Sequence, residues 1–204
     1  DAGGLTGRNL IINGAMQVWQ RGTSVTATSN GYSTADRWNH NASGGTLALS
    51  RQSLTVGQTD IPSQFEYFFR VNATTGNDNA GIRTRIEDVK TVQGTVTLSF
   101  YAKGTNPNGG NFEIELRQDF GSSGSSDVAT TESFTVTSSW QRFTKTISVG
   151  SISGKTINAG SFYQVYFRQP DADTSTNAWT LDITGVQLEV GEQATPFEHR
   201  SFAD

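Results

Sequence analysis

Apolar and polar positions alternate with a period of two along much of this chain. Residues 65–71 (FEYFFRV) set Phe65, Tyr67, Phe69 and Val71 against Glu66, Phe68 and Arg70. Residues 81–88 put Ile82, Thr84 and Ile86 on one side and Arg83, Arg85 and Glu87 on the other. In 96–103, Val96, Leu98, Phe100 and Ala102 oppose Thr97, Ser99, Tyr101 and Lys103. In 111–120, Phe112, Ile114 and Leu116 oppose Glu113, Glu115, Arg117 and Asp119. Successive side chains of a strand point to opposite faces, so each segment predicts a β-strand with one buried and one wetted face. Further strands are predicted at 45–51, 132–137, 140–149, 161–169 and 178–190. No window carries the i, i+3, i+4, i+7 apolar stripe of an amphipathic helix. The stretches between strands, such as GTNPNGGN (104–111) and GSSGSSD (121–127), are rich in turn formers: Gly supplies positive φ, while Pro and Asn set tight turns. About ten short strands with one apolar face each predict an all-β sandwich of two packed antiparallel sheets.

Residues 9–22, NLIINGAMQVWQRG, break this regularity. The apolar run Leu10, Ile11, Ile12 stops at Asn13-Gly14 and resumes at Met16, Val18 and Trp19. It is too short for a membrane span, which needs about 20 apolar residues, and it lacks the basic start and cleavage site of a signal peptide. Strand, Asn-Gly, strand at a jogged sheet edge is the expected form. No repeat or linker appears elsewhere, so 1–204 is expected to be one domain, with 1–7 and 195–204 as extended terminal arms. The first residue is Asp1 rather than Met, as in a fragment or a processed product.

Composition narrows the chemistry. At 204 residues the chain can bury a core without staples. It contains no cysteine, hence neither disulfides nor thiolate metal sites. Fifteen Lys and Arg stand against 19 Asp and Glu, a balance that argues against general nucleic-acid binding. Eleven of those cations are Arg, whose planar fork suits fixed hydrogen bonding on sheet faces. With two histidines far apart and no Ser-His-Asp arrangement, nucleophilic catalysis has little support.

Four stretches recur in a familiar order: NLIINGAMQVWQRG near the start, VTLSFYAKG (96–104), SSWQRFTKTISV (139–149 with its leading Ser138), and WTLDITGVQLEVG (179–191). This order resembles jelly-roll carbohydrate-binding modules of families four and nine. In those modules the Asn-Gly element opens the first strand and the last strand returns beside it. The two ends are more particular. NLIINGAMQVWQRGTS followed by ADRW (35–38), and then VQLEVGEQATPFEHRSF (186–202), resemble bacteriophage virion proteins, mainly of the tail fibre type. The resemblance implies a jelly roll displayed on the phage particle surface that binds host-surface polysaccharide or lipopolysaccharide. It also implies other virion proteins as partners, a homo-oligomer of trimer type, no enzymatic activity and no membrane. A capsid decoration or fibre-building unit without glycan binding is the alternative. The sugar-binding relatives place acids in the Asn-Gly element and near the last strand to hold calcium. Here those positions read Ala15, Gln17 and Thr184-Gly185, with Asp182 standing alone nearby, so no metal and no cofactor are expected.

Candidate chemistry lies on the wetted faces. Burying Ile82, Ile86, Leu98, Phe100, Ile114 and Leu116 turns Arg83, Arg85, Tyr101, Glu113, Glu115 and Arg117 outward. In 162–169 (FYQVYFRQ), burial of Tyr163, Val165 and Phe167 turns out Gln164, Tyr166 and Arg168. If these strands share a sheet, flat rings stand among charged forks and carboxylates, a combination that binds sugars: a ring covers the apolar face of the sugar while polar groups read its hydroxyls. A network of cross-strand ion pairs is the competing reading. Glu113 and Glu115 resemble the start of the Glu-x-Asp-x-x-Glu spacing of jelly-roll glucanases. Arg117 or Gln118 stands where the last acid belongs, which leaves a glycoside hydrolase as a second alternative. The loop acids Asp78, Asp171 and Asp173 could hold a cation. Trp38 and Trp140 are expected at sheet margins, and Trp19 and Trp179 facing each other across the seam. The apolar residues Leu5, Phe197 and Phe202 mark the ends as contact segments, with 194–202 near an oligomer interface.

Overall fold

The computed structural model describes residues 7–42, 44–75, 79–170 and 178–199. Among them, the six-stranded sheet orders β1 (Ser24–Ala27), β3 (Thr46–Ser53), β4 (Tyr67–Thr75), β11 (Trp179–Val190), β6 (Thr95–Thr105) and β9 (Gln141–Ser148). The five-stranded sheet orders β2 (Trp38–Asn41), β5 (Gly81–Glu87), β10 (Phe162–Arg168), β7 (Asn111–Asp119) and β8 (Val128–Thr135). Each assigned strand pair is antiparallel. From β4 to β11 the chain repeatedly crosses between the sheets, giving a β-sandwich of jelly-roll type. The short strands β1 and β2 carry too few alternations to stand out in the sequence.

The predicted apolar faces meet between the sheets. Leu47, Leu49, Phe69, Val71, Leu98, Phe100 and Ile183 come from one sheet, and Ile82, Phe112, Ile114, Val165 and Phe167 from the other; all are buried. Phe100 and Phe167 join the layers edge to face at 4.9 Å. Each large side chain buried this way stabilises the fold by roughly 1.5–3 kcal/mol. Trp38, on the edge strand β2, lies at the sheet margin as expected, yet is fully buried there against Phe167. Trp19 packs on Phe69 and Trp179 on Phe112, so each has a Phe partner in place of the expected Trp pair.

The jogged edge predicted at 9–22 is not a pair of strands. Its backbone turns at 12–15, with Asn13 and Met16 at positive φ. It nevertheless runs beside the last strand: Leu10 N donates to Leu188 O at 2.9 Å and Val186 N to Gly14 O at 3.0 Å. The β11–β6 register shifts between Thr184 and Gln187, at the place where this segment docks. Asn13 explains the break. Its carboxamide donates to Val18 O and Asp36 O and accepts from Gln17 N and Val18 N, while its carbonyl accepts from Trp38 Nε1. Asp36 in turn accepts from Gln20 N and the Arg21 guanidinium, each at 2.6 Å. Side-chain bonding of this density replaces the strand ladder.

Candidate functional site

The outward face of the five-stranded sheet gathers seven of the eight candidate residues. Register sets them in rows across the strands. Asn39, Arg83, Tyr166, Glu115 and Thr131 form one row. Arg85, Gln164 and Arg117 form the next, and Arg168 and Glu113 lie opposite each other in a third. The odd–even alternation of β5, β7 and β10 delivers them there together. Glu115, Gln164, Tyr166 and Arg168, expected to meet water, are nevertheless buried there at 3–5% exposure, packed against one another. Tyr101 does not join them. It sits on β6, in the other sheet, where its outward face is turned the opposite way. Alternation told that Tyr101 points away from the core, but not on which side of the sandwich. Its ring lies 5.6 Å from Phe65, in a second apolar cluster with Ile61, Phe68 and Trp140.

Most charges of the face are engaged with one another. Arg117 Nε donates to Glu115 Oε1 at 2.7 Å, and its other arm reaches Asp127 at 3.3 Å. The Glu115 hydrogen bond, first among the causes, raises the Arg117 pKa. Arg168 lies 3.1 Å from Glu113 and 3.7 Å from Glu115, with side chains of Arg168 and Glu115 only 5% and 6% exposed. Arg168 also donates to the Asn79 side chain, and the Tyr166 hydroxyl donates to Asn79 O while accepting from Asn41 Nδ2. Burial pushes the Tyr166 phenol up to about 12, so it stays neutral and can donate. Arg83 differs from these cations. Its Nε donates to the Asn39 carboxamide at 2.8 Å and its guanidinium lies 5.6 Å over Tyr166. Burial, first among the causes, lowers its pKa.

At the Arg85 end the face opens into a groove of about 950 Å³. Arg85 lies over the Phe162 ring, 3.9 Å from its centroid, with the half-exposed ring of Tyr32 also in the lining. Three other cations in the wall are paired: Arg21 with Asp36 at 2.6 Å, Arg37 with Glu87 at 3.1 Å and Lys90 with Asp88 at 3.2 Å. The sequence reading missed Tyr32, Arg37 and the loop at 157–161, because no periodic pattern marks them. Loops contribute to a site by where the scaffold carries them.

Part of the six-stranded sheet's outward face is covered by the chain itself, while beside it Arg70, Asn72, Lys103, Thr105, Thr180 and Asp182 line a cavity of about 380 Å³. Phe197 packs on Phe65 at 5.0 Å. The Glu198 carboxylate accepts from the N–H groups of Gly7, Arg8 and Asn9, and Glu198 N donates to Gln187 Oε1 at 2.7 Å. Asp182 receives two hydrogen bonds from Arg70. Asp78, Asp171, Asp173, Leu5 and Phe202 lie outside the described residues.

No family model matches the chain, and no curated protein does. Solved structures share its fold. The chain is similar to the N-terminal CBM22-1–CBM22-2 tandem domain of Xyn10C from Paenibacillus barcinonensis, at 16% identity and a TM-score of 0.52, covering 95% of this chain and 52% of that one. It is also similar to the enzymatically active domain of bacteriophage CBA120 tailspike protein 4, at 13% identity and a TM-score of 0.51, covering 89% of this chain and 21% of that one. The chain thus spans about half of the first and a fifth of the second. The fold is the jelly roll of carbohydrate-binding modules.

Proposed function

We propose that this chain is a non-enzymatic carbohydrate-binding unit of a bacteriophage particle, carried on a tail fibre or the particle surface, that binds host-surface polysaccharide or lipopolysaccharide. One observation carries the reading: rings and charged forks share the outward face of the five-stranded sheet, and that face runs into the groove of Tyr32, Arg85 and Phe162. A groove of this size fits the range of small-ligand sites and can seat a few sugar rings. The shared fold with a tandem carbohydrate-binding module supports it. Virion display and a homotrimer rest on the resemblance of the two ends to fibre proteins. Glycoside hydrolysis is disfavoured because Arg168 and Arg117 engage Glu113 and Glu115, so neither of this pair is free to protonate a leaving group.

The experiment is retention on immobilised polysaccharides, host lipopolysaccharide and a glycan array, with Tyr32→Ala and Arg117→Ala as site variants and Tyr101→Ala as the control on the opposite face. The parent and Tyr101→Ala should bind alike, and the two site variants should weaken. Absence of any retained glycan would instead favour a capsid decoration or fibre-building unit. The mutual pairing of Glu113, Glu115, Arg117 and Arg168 speaks for that second reading.

A further inference from the structure

Charge partners divide the cations of the five-stranded face into two kinds. Arg21, Arg37, Lys90, Arg117 and Arg168 each lie against a carboxylate. Arg83 and Arg85 do not, among the described residues: Arg83 is held by an amide and a ring, and Arg85 by the Phe162 ring alone. They are two residues apart on one face of β5, about 7 Å along the strand. The groove wall carries four cations, Arg21, Arg37, Arg85 and Lys90, against three carboxylates, Asp36, Glu87 and Asp88, and Arg83 adds its charge beside Arg85. Burial is the main cause that lowers the Arg83 pKa; Arg85 and Arg117 add to the lowering, while Tyr166 and Tyr32 oppose it. Arg85 is exposed and brings its guanidinium fork into the groove lining, over the Phe162 ring. That fork matches a carboxylate, sulfate or phosphate in two-bond geometry.

We infer that the groove takes an anionic glycan, with the sugar's acidic substituent seated on Arg85 and its ring laid against Tyr32. The inference rests on the glycan-binding reading and narrows it to a substrate class. Neutral sugars would gain nothing from Arg85 that a Gln could not offer. An acidic substituent gains two charge-assisted bonds and relieves the repulsion between Arg85 and Arg83.

The test is one glycan array carrying neutral, uronic-acid, sulfated and phosphorylated glycans, probed with the parent chain, Arg85→Gln and Arg85→Lys at about 0.15 M and 1 M salt. The parent should prefer acidic glycans, and which arm is strongest assigns the anion as carboxylate, sulfate or phosphate. Arg85→Gln should lose about tenfold or more in affinity, the size expected for hydrogen bonds to a charged group. Arg85→Lys should keep part of it, and high salt should weaken the parent. Melting curves verify that the variants are folded. Binding to neutral glycans alone, or undiminished binding of acidic glycans by Arg85→Gln, overturns the inference while leaving glycan binding intact. No binding to any glycan by the parent overturns both.

Discussion

Arg70 on β4 and Asp182 on β11 form a two-bond ion pair across neighbouring strands of the six-stranded sheet. Nε and one terminal nitrogen of the guanidinium each lie 2.7 Å from a separate carboxylate oxygen. The Asp182 side chain is 3% exposed and that of Arg70 38%, so one partner is buried and the other still meets water. The hydrogen bond to Asp182 is the leading reason that the Arg70 pKa is raised. Removing Arg70 leaves a buried carboxylate uncompensated, which is costly, but the exposed side of the pair screens part of the loss. Arg70→Ala is expected to lower stability by about 1–3 kcal/mol. A double-mutant cycle with Asp182→Ala should return a coupling of about 1–2 kcal/mol in urea denaturation; additive effects would show that the two groups do not interact.

The same pair bears on metal. Both Asp182 oxygens are taken by Arg70, and Ala15 and Gln17 offer no carboxylate, so calcium finds no ligand set there. Chelator should shift the melting temperature by less than about 1 °C, whereas loss of a ligand held at a hundred times its dissociation constant removes roughly 2.7 kcal/mol. A drop of several degrees that calcium restores would show that other acids, such as Asp171 and Asp173, hold an ion.

Gly14 is the point of closest approach between the amino-terminal segment and the last strand. A methyl group there would stand 2.0 Å from the Val186 carbonyl oxygen, a backbone atom that cannot move aside by changing rotamer. Gly14→Ala must separate the segment from β11 and break the Val186 N to Gly14 O bond. The expected cost is more than about 2 kcal/mol, in the upper range for single substitutions. A melting curve within a degree of the parent would contradict the docking.

His40 gives the protein a stability slope in mild acid. Burial lowers its pKa from 6.5, opposed by a hydrogen bond with the Ser29 backbone and aided by the Arg83 charge. The unfolded chain therefore takes up a proton from about pH 6.5 downward, while the folded chain resists it to lower pH. More protons on the unfolded state mean that stability falls as pH drops through this window. Urea midpoints at pH 8, 6 and 5 should decline for the parent and decline less for His40→Gln. Parallel profiles would remove His40 from the account.

The all-β class and the identity of most core residues were legible from alternation alone, because side chains of period two in β5, β6 and β7 point to opposite faces and their apolar sets, such as Ile82, Phe100 and Ile114, turn inward. Alternation also turned Arg83, Glu115 and Tyr166 outward together. It could not bring them into one sheet and send Tyr101 to the other, since face is a local property of a strand and sheet partnership is set by long-range pairing. Sequence alone offers no physical reason for the residues of the two ends. Tertiary structure supplies it: Asn13, Asp36 and Trp38 bond one another at the front, Gln187 and Glu198 bond at the back, and Glu198 ties the back to Gly7, Arg8 and Asn9. The sequence by itself determined which apolar side chains fill the space between the sheets, but not that Glu115, Gln164, Tyr166 and Arg168 on the outward face are buried as well. Only the tertiary structure decided which outward side chains meet, and that a groove opens beside Arg85, because loops 20–37 and 157–161 are distant in the chain and are brought together there by the packing of β2, β5 and β10.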